Sequence, residues 1–143
     1  MQFLSLKATD DEILALCREW VELVAADRLE QAISLLYVPE TYQPQQRWTA
    51  DSLRTYIGND GSWDPAGDGC VWRVTLIDST PMPADRPNFR PRADVGHYDG
   101  KPHAGWVDPD LPLNGEWSDL TAQFEFSPVD DGIGLSLYDL HVL

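Results

Sequence analysis

The stretch Glu116-Trp117-Ser118-Asp119-Leu120-Thr121-Ala122-Gln123-Phe124-Glu125-Phe126 decides the fold. Leu120, Ala122, Phe124 and Phe126 alternate with Asp119, Thr121, Gln123 and Glu125, the period of two of a half-buried strand. A second run, 135–143, carries Tyr138, Leu140 and Val142 on one side. Between them 127–134 contains Asp130-Asp131-Gly132 and reads as a loop. Both apolar faces carry even numbers. A one-residue slip would turn one face into water, so even residues are expected to pair with even ones. Leu120 and Ala122 then share a face with Tyr138 and Leu140.

Working outward toward the N-terminus, the period changes to that of helices. Thr9 and Glu12 have capping-box spacing, and Asp10, Asp11 and Glu12 put negative charge in a first turn. Ile13, Leu16, Cys17, Trp20, Leu23 and Val24 form one apolar stripe, which predicts a helix over 10–26. Asp27 and Glu30 repeat the start signal, and Pro39 is expected to stop the second helix by Val38. A third helix is expected from about Thr49 to Gly58. The segment 59–69 has turn composition. Residues 71–78 read as a strand and 89–99 as a less regular one. The proline- and glycine-rich 101–115 is expected to be an irregular crossing pinned by Trp106. Helices followed by antiparallel strands give an α+β class, with N-terminal helices packed on a curved antiparallel sheet.

The 143 residues fit a single domain, 1–143, with 43% hydrophobic and 24% charged residues. No apolar run has the length of a membrane helix, and 3–6 is too short for the core of a secretory signal. Two cysteines make neither a disulfide framework nor a zinc site. The 24 acids against 10 bases give a net charge of −14, which argues against nucleic acid and anionic membranes as partners. The expectation is a soluble, acidic, cytoplasmic protein.

In element order the chain looks like the nuclear transport factor 2 superfamily, a cone-shaped α+β fold. More specifically, LNGEWSDLTAQFEF (113–126) followed by LYDLHVL (137–143) resembles the closing hairpin of a family of uncharacterised bacterial proteins. That resemblance implies a small acidic cytoplasmic protein and offers no catalytic residues to carry over.

Chemistry-bearing groups are few. Asp139 and His141, two apart, emerge on one strand face, and Asp119 and Thr121 are expected beside them. A His–acid pair in a pocket does general acid–base work; on an open sheet the same residues are a polar surface. His97 and Asp99 repeat the spacing, but nothing in it demands a metal, and His103 reads as a loop residue. No metal or cofactor is expected. The glycines of 58–69 are turn residues, because a phosphate loop needs a strand before it and a helix after it. Cys17 falls on the apolar stripe as an inert thiol. The six tryptophans serve either as loop pins or as anchors for a partner.

The charge is unevenly spread. No Lys or Arg follows Lys101, whereas Asp108, Asp110, Glu116, Asp119, Glu125, Asp130, Asp131 and Asp139 do. Simple solvation is one reading. The other is a surface that steers a basic protein partner, with Asp108, Asp110, Asp130 and Asp131 in loops as its charges and Trp106 and Trp117 as its anchors. Two functions remain open. One is a non-enzymatic protein-binding module, in its sharpest form an immunity protein that neutralises a basic toxin domain. The alternative is a small-molecule-binding protein or lyase- or isomerase-type enzyme, using His141, Asp139 and Asp119 in a cone-shaped pocket as scytalone dehydratase-like and polyketide cyclase-like proteins do.

Overall fold

In the computed structural model, which describes residues 1–65 and 67–142, the chain begins with β1 (Phe3–Ser5), α1 (Asp10–Ala25) and α2 (Leu29–Ser34). A 3-10 turn (Pro44–Gln46) and α3 (Ala50–Gly58) follow. The rest is β2 (Val95–Tyr98), β3 (Lys101–Val107), β4 (Asp110–Leu113), β5 (Glu116–Val129) and β6 (Gly132–Val142). Ala66, in the turn-rich segment, and Leu143, the expected end of the last strand, lie outside the described residues. The class is α+β, as the element order predicts. The antiparallel sheet has the order β1-β6-β5-β3-β2, and β4 joins β5 as well. β5 is long enough to pair with β6 along one edge and with β4 and then β3 along the other.

The helical starts obey local chemistry. The Glu12 N–H donates to Thr9 Oγ1 and the Thr9 N–H to Glu12 Oε1, both at 3.3 Å, which closes the expected capping box. Thr49 caps α3 in the same way through Ser52. Asp27 does not cap α2. It takes φ +59° in the corner, Arg28 is the N-cap, and the Asp27 carboxylate instead meets Arg54 at 3.1 Å. α2 ends at Ser34, because the chain must leave the helix to reach the sheet: the Tyr37 N–H donates to the Leu135 carbonyl at 2.8 Å.

One face of the sheet meets the helices. Ile13, Leu16, Trp20, Val21, Leu53 and Ile57 form a single core with Leu120, Ala122, Phe124, Phe126 and Leu140. Trp20 stands edge-on to Phe124, with ring centroids 5.2 Å apart. On the same side His97 meets the edge of Phe126 at 5.4 Å, and its Nε2 pairs with Asp10 Oδ1 of α1 at 2.7 Å.

The strands differ from expectation in five places. The 127–134 loop shrinks to Asp130-Asp131, with Asp130 at φ +52°, because Val129 pairs with Gly132. The even-with-even register holds only from Leu120↔Val142 to Gln123↔Asp139. Tyr138 is then inserted as a bulge, and Phe124 pairs with Leu137 and Phe126 with Leu135. Ile133, Leu135, Leu137 and Leu140 are therefore the core residues of β6, and Tyr138 is 45% exposed.

Residues 101–115 are not irregular; they form β3 and β4. Gly105 is there for close approach, not for a turn: a Cβ on it would lie 1.9 Å from the Gly96 carbonyl oxygen. The expected strand 71–78 is reduced to one bridge, Val74↔Leu113. Other backbone groups of the segment bond to α3 and β4, as in Trp72 N–H to the Gly58 carbonyl and Thr75 N–H to the Pro112 carbonyl. Within 89–99 only Val95–Tyr98 is a strand.

Phe124→Ala should lower unfolding free energy by about 3–5 kcal/mol in denaturant melts, the cost of an unfilled aromatic site. A loss below about 1 kcal/mol would show that the contact with Trp20 is not central.

Candidate functional site

The helices cover one side of the sheet and leave the other open. Pairing builds a row across this outer side: Gly96 lies opposite Trp106, Trp106 opposite Glu125, and Glu125 opposite Ser136. The Trp106 ring lies over Gly96, where a Cβ would come within 2.3 Å of it. Tyr98 packs against Trp106 at 5.2 Å. Residues 38–48 bring Tyr42 to the far end of the row, where its hydroxyl donates to Glu125 Oε2 at 3.2 Å and its ring meets Tyr138 edge-on at 6.1 Å. Tyr98, Trp106 and Tyr138 keep 44%, 38% and 45% of their surface exposed.

Glu125 and Asp108 put negative charge on this face, with Lys101 opposite Tyr98 and Arg92 near Asp108. Burial and the charge of Glu125 push the Tyr42 phenol far above the ordinary tyrosine range. Tyr98 is raised by partial burial and then by Glu125 and Asp108. Asp108, which follows β3, is itself raised by burial, and Arg92 offsets part of that. No Lys or Arg occurs in β4, β5 or β6 to balance these acids.

The proposed partner-contacting residues separate into four places. Trp106 and Asp108 belong to the row. Asp110 lies in β4, not in a loop, and is a structural tie: its Oδ2 accepts the Arg92 N–H at 2.7 Å and its Oδ1 the Thr121 hydroxyl at 3.2 Å. Asp130 and Asp131 sit at the tip of the β5–β6 hairpin. Since Thr121 pairs with Asp110, they stand about 30 Å along β5 from it, at ~3.3 Å per residue, so the four acids do not form one patch. Trp117 lies on the helical side, 6.4 Å from Phe89, and lines a narrow cavity with Leu14, Cys17 and Val21.

The acid–base alternative finds its residues on one face but not bonded. His141 lies opposite Thr121 and Asp139 opposite Gln123. Among the described residues neither bonds to the other or to Asp119, and Asp139 Oδ1 accepts the Leu140 N–H at 2.8 Å. His97 pairs with Asp10 rather than converging on His141, and His103 is half-buried in β3 rather than in a loop. Among the described residues no group of three or more His, Cys, Asp or Glu gathers to hold a metal ion. Cys17 is buried, and burial pushes its thiol pKa up, which keeps it protonated and inert.

Sequence reasoning missed Tyr42, Tyr98 and Tyr138 as members of this surface. Tyr42 comes from a loop distant in sequence, and the bulge that turns Tyr138 outward leaves no periodic trace. Glu125 was legible as an outward residue of its strand, but its role as the acceptor for Tyr42 was not.

A raised phenol pKa means that the fold favours neutral Tyr42. Its share of stability is complete below the unfolded tyrosine value of about 10 and is lost as pH rises through the higher folded value. Tyr42→Phe should therefore flatten the loss of stability above about pH 10 in denaturant melts. An unchanged slope would assign the alkaline loss to the other tyrosines.

The chain matches no protein-family model, no curated protein and no solved structure.

Proposed function

We propose that this chain is a non-enzymatic binding module whose open sheet face captures a basic protein. The observation that carries the reading is the row Tyr98–Trp106–Glu125–Tyr42–Tyr138, where exposed aromatic surface lies beside the carboxylates of Glu125 and Asp108, with Lys101 and Arg92 offsetting part of their charge. Aromatic anchors supply contact area at low entropic cost. The acids steer a cationic partner and repel anionic ones. In its sharpest form the partner is a basic toxin domain, and the chain is the immunity protein that blocks it; the small size and the net charge of −14 support this form. The pocket-enzyme alternative has less support, because Trp20, Phe124, Phe126 and Leu140 pack the space between helices and sheet.

The test is association with a toxin domain encoded beside this gene. Raising salt from about 50 to about 500 mM should slow association at least tenfold while changing dissociation little, because exposed charges are screened. Trp106→Ala should weaken the complex by about 30-fold, ~2 kcal/mol, mainly by faster dissociation. An association rate indifferent to salt would remove the electrostatic part. Wild-type affinity in Trp106→Ala would remove this face as the interface.

A further inference from the structure

The bulge that turns Tyr138 outward also sets Asp139 beside it at the mouth of a cleft of about 350 Å3. Its aromatic lining comes from Trp48 before α3, Tyr56 within α3 and Trp63 after it, together with Tyr138 itself. Trp48 and Trp63 lie within 21° of parallel with centroids 6.1 Å apart. Tyr56 touches both, at 5.5 Å and 4.7 Å. Trp63 remains 51% exposed, so the cluster offers open π surface rather than a closed core. The Leu140 N–H holds Asp139 Oδ1 at 2.8 Å and so orients the carboxylate. Three glutamine side chains complete the rim, and no Lys or Arg lines the cleft.

From this geometry we infer that the cleft is a binding site for a guanidinium group, the side chain of an arginine. A guanidinium is flat, always charged and weakly hydrated, so it stacks on aromatic faces while its N–H fork donates to a carboxylate. The cleft provides both halves of that recognition: the indole and phenol faces of Trp63 and Tyr138, and the carboxylate of Asp139. Gln46 Oε1 already accepts the Gln43 N–H at 2.9 Å in the cap of the 3-10 turn, so Gln45 is the glutamine left to accept a remaining donor. An anionic ligand does not fit, because Asp139 already imposes a negative field; together with burial, which is the larger effect, its charge raises the Tyr56 phenol. A lysine ammonium fits less well, since it is a strongly hydrated point charge with no plane to stack.

The inference deepens the protein-binding reading by naming one side chain of the partner. It has its own test, because the cleft and the Trp106 row share only Tyr138.

The probe is N-acetyl-arginine amide, titrated into the 15N-labelled protein while the indole N–H resonances of Trp48 and Trp63 are followed. The expected result is a saturable shift of both signals with an apparent Kd on the order of 1 mM, an ordinary value for a fragment of this size. N-acetyl-lysine amide should bind at least about fivefold more weakly. Asp139→Asn keeps the oxygen that accepts the Leu140 N–H and removes the charge, and it should weaken the arginine probe about tenfold. Trp63→Ala, at an exposed position, should weaken it similarly with the fold intact. No saturable shift, equal binding of the two probes, or wild-type binding by Asp139→Asn would each overturn the inference. Trp106→Ala should keep the arginine shift, and its loss there would overturn the inference; a partner that binds Asp139→Asn as tightly as wild type would likewise overturn it while leaving the Trp106 row as the interface.

Discussion

The insertion of Tyr138 into β6 sets what each side of the sheet can do. Before the bulge, core-facing residues of β6 are odd-numbered, as in Leu135 and Leu137; after it, the core position is Leu140. Both halves of the strand thereby keep leucines against Phe124, Phe126 and the helices. The residues at the switch, Tyr138 and Asp139, are set out on the opposite side. A regular strand with the same sequence would have buried Tyr138 in place of a leucine. The bulge thus supports the hydrophobic core and the outer surface together, which is a common place for this irregularity next to functional sites.

The other arrangements follow from that sheet. Trp20 packs edge-on to Phe124, so α1 lies across the middle of β5. α3 follows at the side, where Gly61 at φ +81° comes so near Leu120 that a Cβ would stand 2.8 Å from its methyl carbon. The turn after α3 therefore lies against the end of the sheet, and it is this turn that carries Trp63 toward Tyr56 and Trp48. The charges follow the same logic: the core between helices and sheet is almost wholly apolar, and the acids lie outside it, where water solvates them.

The parts legible from sequence were those governed by short-range rules. The capping box of Thr9 and Glu12, the stripe from Ile13 to Val24 and the alternation from Leu120 to Phe126 each act within a few residues, and each is found. The failures have a common cause in tertiary pairing. Pro109 and Pro112 suggested an irregular crossing, yet their carbonyls still accept bonds from Ala122 and Thr75, so the strand geometry tolerates them. Gly105 fell in the glycine-rich stretch expected to be irregular, whereas it and Gly96 are narrow places required by the neighbouring backbone and by Trp106. Asp110 read as a loop charge because its partners, Arg92 and Thr121, are distant in sequence. Of the candidate surface, Trp106 and Asp108 were legible by residue type; their company of Tyr42, Tyr98 and Tyr138 was a product of the fold.

The margins of the sheet bear on how another chain can approach. β1 has three residues and β2 has four, and β2 also loses register between His97 and Tyr98. The margin of β4 is occupied by the bridge from Val74 and the bond from Thr75. Such short, interrupted borders give an incoming strand little unpaired backbone to extend, the usual protection against edge-to-edge aggregation. The exception is β6, which β1 and Tyr37 pair only as far as Leu135, so that strand addition, whose recognition depends on main-chain geometry more than on side-chain identity, has the 136–142 edge to use. Elsewhere a second polypeptide approaches broadside, where discrimination depends on which side chains it brings.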